Sequence, residues 1–153
     1  MRLVELIDKC MEVFEKDDSF KSFFLDGQTI VLDDYLEIRP ENKEKLIKYT
    51  KEGKFIIGPW YILQDEFYTS GEANIRNLLV GMKEAEKYGA MCKMGYFPDA
   101  FGNAGQMPQL LKQAGMDTVT FGRGVRPVGF DNEVQENGNY ESPYSEMMWE
   151  SPD

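Results

Sequence analysis

The stretch "GYFPDAFGNAGQMPQ", residues 95–109, decides how the chain is read. An apolar run ends at Phe97, Pro98 biases that residue toward an extended backbone, and a loop of small residues leads into a helix-like segment. Pro108 is tolerated only in the first turn of that segment, which spans about Gln106 to Ala114, and Gly115 closes it. The whole is one strand–loop–helix unit. Asp99 stands on its hinge, where a carboxylate serves as a helix cap, a metal ligand or a nucleophile. The cap is the weaker reading, because the helix begins about seven residues later.

The same alternation runs outward in both directions. Apolar residues at 3, 6, 7, 10, 11 and 14 follow helical spacing, so a helix spans about Arg2 to Glu15. "SFKSFFLDG" reads as a strand ending at Asp26, and "TIVLDDYLEI" as an extended or turn segment. Pro40 opens a helix whose inner face is Leu46, Ile47 and Thr50, ended by Gly53. "KFIIGPW" is a continuously apolar strand, as in a sheet covered on both faces. Thr69 and Glu72 form a capping-box pattern ahead of a helix carrying Ile75, Leu78, Leu79 and Met82 and stopping at Gly89. "AMCKMGYF" and "DTVTFGR" are further strands.

Alternating helices and strands predict an α/β fold with parallel strands. A closed barrel has about eight strands and about 250 residues, whereas this chain has 153 residues. It opens on a helix without a preceding strand and closes without a terminating element, so it reads as part of an α/β domain or as a small open sheet with exposed edges. Residues 126–153 are acidic and turn-rich, read as a long loop in which "EMMWE" makes one possible short strand.

Composition narrows the chemistry. Acidic residues number 27 against 17 basic, for a net charge of −10, which argues against nucleic acid and anionic membrane as partners. No apolar run approaches the roughly 20 residues of a membrane span. Two cysteines without metal-ligand spacing fit a cytoplasmic setting. There is no histidine, so acid–base chemistry here rests on carboxylates, Tyr, Lys, Cys or Arg.

Parallel α/β folds place ligands at the C-terminal ends of their strands. Those ends carry Asp26, then Trp60 and Tyr61, then Asp99, then Arg123. Acids, aromatics and one arginine suit a neutral or cationic polar ligand, or a sugar, and do not suit a phosphate, because no Gly-rich loop with Lys is present. Each candidate also has a structural reading. Asp26 before Gly27 suits a turn, Trp60 a core position, and Asn103 a cap. Asp65 and Glu66 are adjacent and need not point the same way, and Glu66 is expected to pair with Arg76. Arg123 lies between Gly122 and Gly124, which leaves room for a ligand.

The segment "FPDAFGNAGQMPQLLKQAGMDTVTFGRGV", residues 97–125, resembles the nucleophile segment of the glycoside hydrolase family 38 α-mannosidases, in particular their bacterial branch. Asp99, Phe101, Gly102, Met107, Pro108, Gly115 and Arg123 fall on the family pattern without a gap. "FFLDGQTIVLDDYLEIRPE" and "GKFIIGPWYILQDEFYTSGEANIRNLLVG" look like its upstream stretches, and "MMWESPD" like the segment before its next strand.

The resemblance implies that residues 1–153 are a fragment of the N-terminal catalytic domain, part of a (β/α) barrel incomplete at both ends, of a retaining α-mannosidase acting on mannose-containing glycans or mannosides. It makes Asp99 the nucleophile and a ligand of a divalent cation, usually zinc, and Arg123 an orienting or charge-stabilising partner. Trp60 and Asp26 remain candidates for substrate binding. Asn103 stands where eukaryotic members have histidine. The family's His-x-Asp pair would precede Met1, and its acid/base aspartate and last histidine would follow Asp153. The fragment alone is therefore expected to be inactive. The alternative is a non-catalytic carbohydrate-binding or scaffold domain. A homo-oligomer is also compatible with the exposed strand edges.

Overall fold

Residue pairing in the computed structural model, which describes residues 2–123 and 146–151, is parallel throughout. β1 (Phe23–Phe24) pairs with β2 (Phe55–Ile56), and β3 (Gly95–Phe97) with β4 (Val119–Phe121). The two pairs form separate two-stranded sheets. Contacts bridge them: Cys92 N donates to Ile57 O at 2.8 Å, and the Trp60 indole Nε1 donates to Tyr96 O at 3.0 Å. The expected parallel α/β arrangement is present, with strands much shorter than the apolar runs that announced them.

Helices connect the strands: α1 (Arg2–Lys16), α2 (Ile30–Ile38), α3 (Lys43–Lys51), α4 (Gly71–Tyr88) and α5 (Met107–Gln113). The turn expected at "TIVLDDYLEI" is instead α2. Its buried residues are Leu32 and Tyr35, one helical turn apart. The Tyr35 hydroxyl donates to Asp8 Oδ1 of α1 at 2.6 Å and accepts from Asn42 Nδ2 at 2.6 Å. These tertiary contacts offset the low helix propensity of its β-branched start. Pro40 opens a 3₁₀ turn (Pro40–Asn42) that runs into α3.

α4 also differs from its sequence pattern. Its N-cap is Ser70, whose hydroxyl accepts from Ala73 N, and not Thr69. Its buried face is Asn74, Leu78, Gly81, Ala85 and Tyr88, while Ile75 and Leu79 are exposed. The rotation follows from Gly81. A Cβ there would lie 2.3 Å from Pro59 O and from the Trp60 carbonyl carbon, so only glycine lets the helix rest on the turn after β2.

The core has two parts. One gathers α1, α2 and α3 around Leu25, Phe55 and Ile57. The other packs Trp60, Leu78, Phe97, Met107, Leu111 and Met116 beneath the ends of β3 and β4. The strand expected at "EMMWE" is absent: residues 146–151 are irregular. Trp149 instead meets Phe121 edge-on at 6.1 Å, and Ser151 Oγ accepts from Gln109 N at 2.9 Å, satisfying a free N–H in the first turn of α5. The rest of the loop expected over 126–153 lies outside the described residues. Cys10 is buried and Cys92 half-buried, both as free thiols. Among the described residues no helix is long and apolar enough to cross a membrane.

Candidate active site at the ends of β3 and β4

Strand register builds the site. Phe97 pairs with Phe121, so Asp99 and Arg123 each stand two residues beyond the last rung of the same parallel ladder. Gly122 N donates to Phe97 O at 3.2 Å and carries the pairing one step further. A Cβ on Gly122 would lie 2.3 Å from Pro98 O. Glycine is thus needed for the two loops to leave the sheet side by side.

Arg123 Nε lies 2.6 Å from Asp99 Oδ1, with the two side chains 46% and 78% exposed. The guanidinium sits 4.0 Å over the Phe101 ring, a cation–π contact. Asn103 Nδ2 donates to Arg123 O at 3.1 Å, so the predicted cap instead ties the 99–104 loop to the end of β4. Asp99 caps no helix. It presents an oxygen-rich face to solvent, held from one side by a cation.

The other strand-end residues are placed differently. Asp26 is exposed, in a left-handed backbone conformation at φ 52°. It accepts from the Tyr96 hydroxyl at 3.0 Å, three residues before Asp99. Trp60 is 1% exposed and tilts against Phe97 at 5.4 Å, in the core below the loop. The Tyr61 hydroxyl is directed to Asp33, and burial, followed by that carboxylate, pushes its pKa up. Among the described residues and these candidates, the structure therefore joins Asp99 directly to Arg123, with Asp26 tied to the same strand through Tyr96.

Asp65 and Glu66 correct the expected ion pair. Arg76 pairs with Glu72 at 2.7 Å, and Glu66 points away from it into the protein at 1% exposure. Glu66 Oε1 accepts from Ala104 N at 2.6 Å, while Asp65 Oδ1 accepts from Phe101 N at 3.1 Å. Both adjacent acids thus hold the loop that carries Asp99. Burial pushes the Glu66 carboxyl up to about 7, partly offset by the Ala104 N–H. Exposed Phe67, Tyr68 and Phe101 form an aromatic rim beside it. A Cβ on Gly102 would meet Phe67 Cβ at 3.0 Å, so Phe67 lies directly against the loop.

A metal is tested by the donor set. Zinc needs about four donors, and among the described residues no group of three or more His, Cys, Asp or Glu is placed to hold one. Asp99 supplies a single carboxylate, which does not make a site by itself. A cavity of about 310 Å³ between α4 and α5 is lined by Trp60, Leu78, Met82, Met107 and Leu110 and contains no titratable side chain, so it supplies no acid or base.

Comparison with known proteins places the chain in a family. The glycosyl hydrolases family 38 N-terminal domain matches residues 2–153. A protein of Halalkalibacterium halodurans named "Putative mannosylglycerate hydrolase" is 55% identical over 99% of this chain and 17% of its own length. The alpha-mannosidase G of Dictyostelium discoideum is 28% identical over 79% of this chain and 10% of its own. The crystal structure of an alpha-mannosidase from Enterococcus faecalis V583 superposes with a TM-score of 0.79 at 54% identity, covering 83% of this chain and 14% of that one. The chain thus spans less than a fifth of the length of each of these relatives. It belongs to glycosyl hydrolase family 38 and carries sequence of the N-terminal domain of that family.

Proposed function

We propose that this chain is part of the (β/α)-barrel catalytic domain of a retaining α-mannosidase, with Asp99 as nucleophile. The observation that carries the reading is the Asp99–Arg123 pair, set by register at the ends of two parallel strands with the carboxylate open to solvent. An ionised Asp99 attacks the anomeric carbon of a terminal α-mannosyl unit as the bond to the leaving oxygen breaks. A second carboxyl group, roughly 5–5.5 Å away in retaining enzymes, gives that oxygen its proton. Water then releases mannose from Asp99, and the same group takes the water's proton. Arg123 holds Asp99 aimed and stands ready to balance charge that develops beside it. The acid/base group and the donors that would complete a zinc site around Asp99 come from outside the described residues. Bound there, the cation would supply charge and grip on sugar hydroxyls.

The aromatic rim of Phe67, Tyr68 and Phe101 and the carboxylate of Asp26 suit the faces and hydroxyls of a sugar. The name of the Halalkalibacterium halodurans relative makes mannosylglycerate the small substrate to try beside 4-nitrophenyl α-mannoside. In the intact polypeptide that carries this sequence, Asp99→Asn should lower kcat by about 10³-fold or more with the fold retained. A slow fluorinated mannosyl donor should leave one mannosyl group on the peptide containing Asp99. Near-wild-type turnover by Asp99→Asn would refute the nucleophile. The 153 residues alone, supplied with zinc, should show no turnover.

The second reading, a carbohydrate-binding domain without chemistry, is favoured by the absence of histidine from the chain. It expects the intact polypeptide to bind mannosides and release no mannose.

A further inference from the structure

The acids of "LQDEF" are not used by the chemistry proposed above, yet one of them is among the most buried side chains in the molecule. Glu66 is 1% exposed, with Oε1 on Ala104 N at 2.6 Å and Oε2 without a hydrogen-bond partner among the described residues. Keeping a carboxyl group in such a place is costly unless its hydrogen bond does something that an apolar residue would not.

The arrangement has a direction. Asn74 of α4, itself 4% exposed, donates from Nδ2 to Glu66 O at 2.9 Å. Asn77 of the same helix donates to Ile62 O at 2.7 Å and accepts from Ile62 N at 3.0 Å. The 62–66 loop is therefore fastened to a helix of eighteen residues. From that anchor, Asp65 takes the Phe101 N–H, Phe67 covers Gly102, and Glu66 takes the Ala104 N–H. Three neighbouring residues of one loop grip three points on the other.

The gripped loop is the one that holds Arg123. Its Phe101 ring lies under the guanidinium, and its Asn103 amide binds the Arg123 carbonyl. We infer that Asp65 and Glu66 are positioning residues: they clamp backbone 101–104 to α4, and through Phe101, Asn103 and Arg123 they set the aim of Asp99. The inference rests on Asp99 being the nucleophile. A loop of small residues has many conformations to lose, and the two hydrogen bonds from its backbone amides to Asp65 and Glu66 suppress them.

The test uses the intact polypeptide and two readouts, steady-state kinetics on 4-nitrophenyl α-mannoside and amide hydrogen exchange of the peptide spanning 100–106. Glu66→Leu removes the acceptor at similar volume, and Glu66→Gln keeps one. With Glu66→Leu, kcat should fall by about 10²-fold with KM within about twofold, because misaim costs rate and not affinity. Exchange at Phe101–Ala104 should quicken. Glu66→Gln should recover most of both. Unchanged exchange and kcat in Glu66→Leu would overturn the clamp. Should Glu66→Leu not fold, Asp65→Ala, at a half-buried side chain, carries the same test on the Phe101 N–H, and no change there refutes it. If Asp99→Asn stays active, the nucleophile reading fails while the exchange measurement still decides the clamp.

Discussion

Arg123 Nε meets Asp99 Oδ1 at 2.6 Å because both residues stand two positions beyond the paired Phe97 and Phe121. A carboxylate and its cation, far apart in the chain, are thereby brought together by the register of a three-residue ladder. The guanidinium is held in turn by the Phe101 face. Charge alone is not what this position requires.

Arg123→Lys should therefore behave as a damaging change. An ammonium keeps the charge but loses the flat stack on Phe101 and the fixed geometry toward Asp99. In the intact polypeptide kcat is expected to drop about tenfold, with a smaller change in KM. Equal kcat for the two would remove the orienting role.

Gly122→Ala tests the register itself. The new Cβ would fall 2.3 Å from Pro98 O, a backbone atom that no rotamer change can move. The loops must separate, at a cost of about 1–3 kcal/mol in stability. A lowered Tm together with lost turnover is expected. An alanine variant with wild-type Tm and kcat would show that the β3 and β4 ends are looser than their contacts imply.

Glu66 gives a pH dependence with a definite sign. Its folded-state pKa is raised from 4.5 to about 7 by burial. Between those values the folded chain holds a proton that the unfolded chain releases, so stability falls as pH rises through that window and is fully reduced above about 7. The facing groups are Asp65, which reinforces the shift, and the Ala104 N–H, which opposes it. Glu66→Gln abolishes this slope. Its Tm relative to the wild type should rise from pH 5 to pH 8, by the equivalent of roughly 2–3 kcal/mol. A constant Tm difference across that range would contradict the assigned burial.

Trp60→Phe separates a core role from a sugar-binding one. The indole is 1% exposed and bonded to Tyr96 O. Loss of that bond should cost about 1 kcal/mol of stability, with KM for 4-nitrophenyl α-mannoside unchanged. A large rise in KM at constant Tm would instead make Trp60 a substrate contact.

Much of the alternation was legible in the sequence, because strand and helix periods are local properties of neighbouring residues. α1 shows its apolar stripe openly, and Pro108 and Gly115 bracket α5. α2 was not legible, since its helix depends on Asp8 and Asn42 receiving the Tyr35 hydroxyl. The face that α4 buries was not legible either, because the residue that decides it, Gly81, has no side chain to count.

The sequence alone determined the parallel α/β class, the hinge at Asp99, and the match of residues 97–125 to a family pattern. These follow from residue type and spacing, which a chain carries whether or not it is folded. Tertiary structure decided which acid serves which purpose. Adjacent Asp65 and Glu66 look interchangeable in sequence, and Glu66 looked like a partner for Arg76. Only the close approach of two loops, fixed to α4 by Asn74 and Asn77, turns both carboxyl groups onto the Asp99 loop. Hydrogen bonds between segments 38 and 36 positions apart depend on where packing puts the backbone, and no local pattern records that.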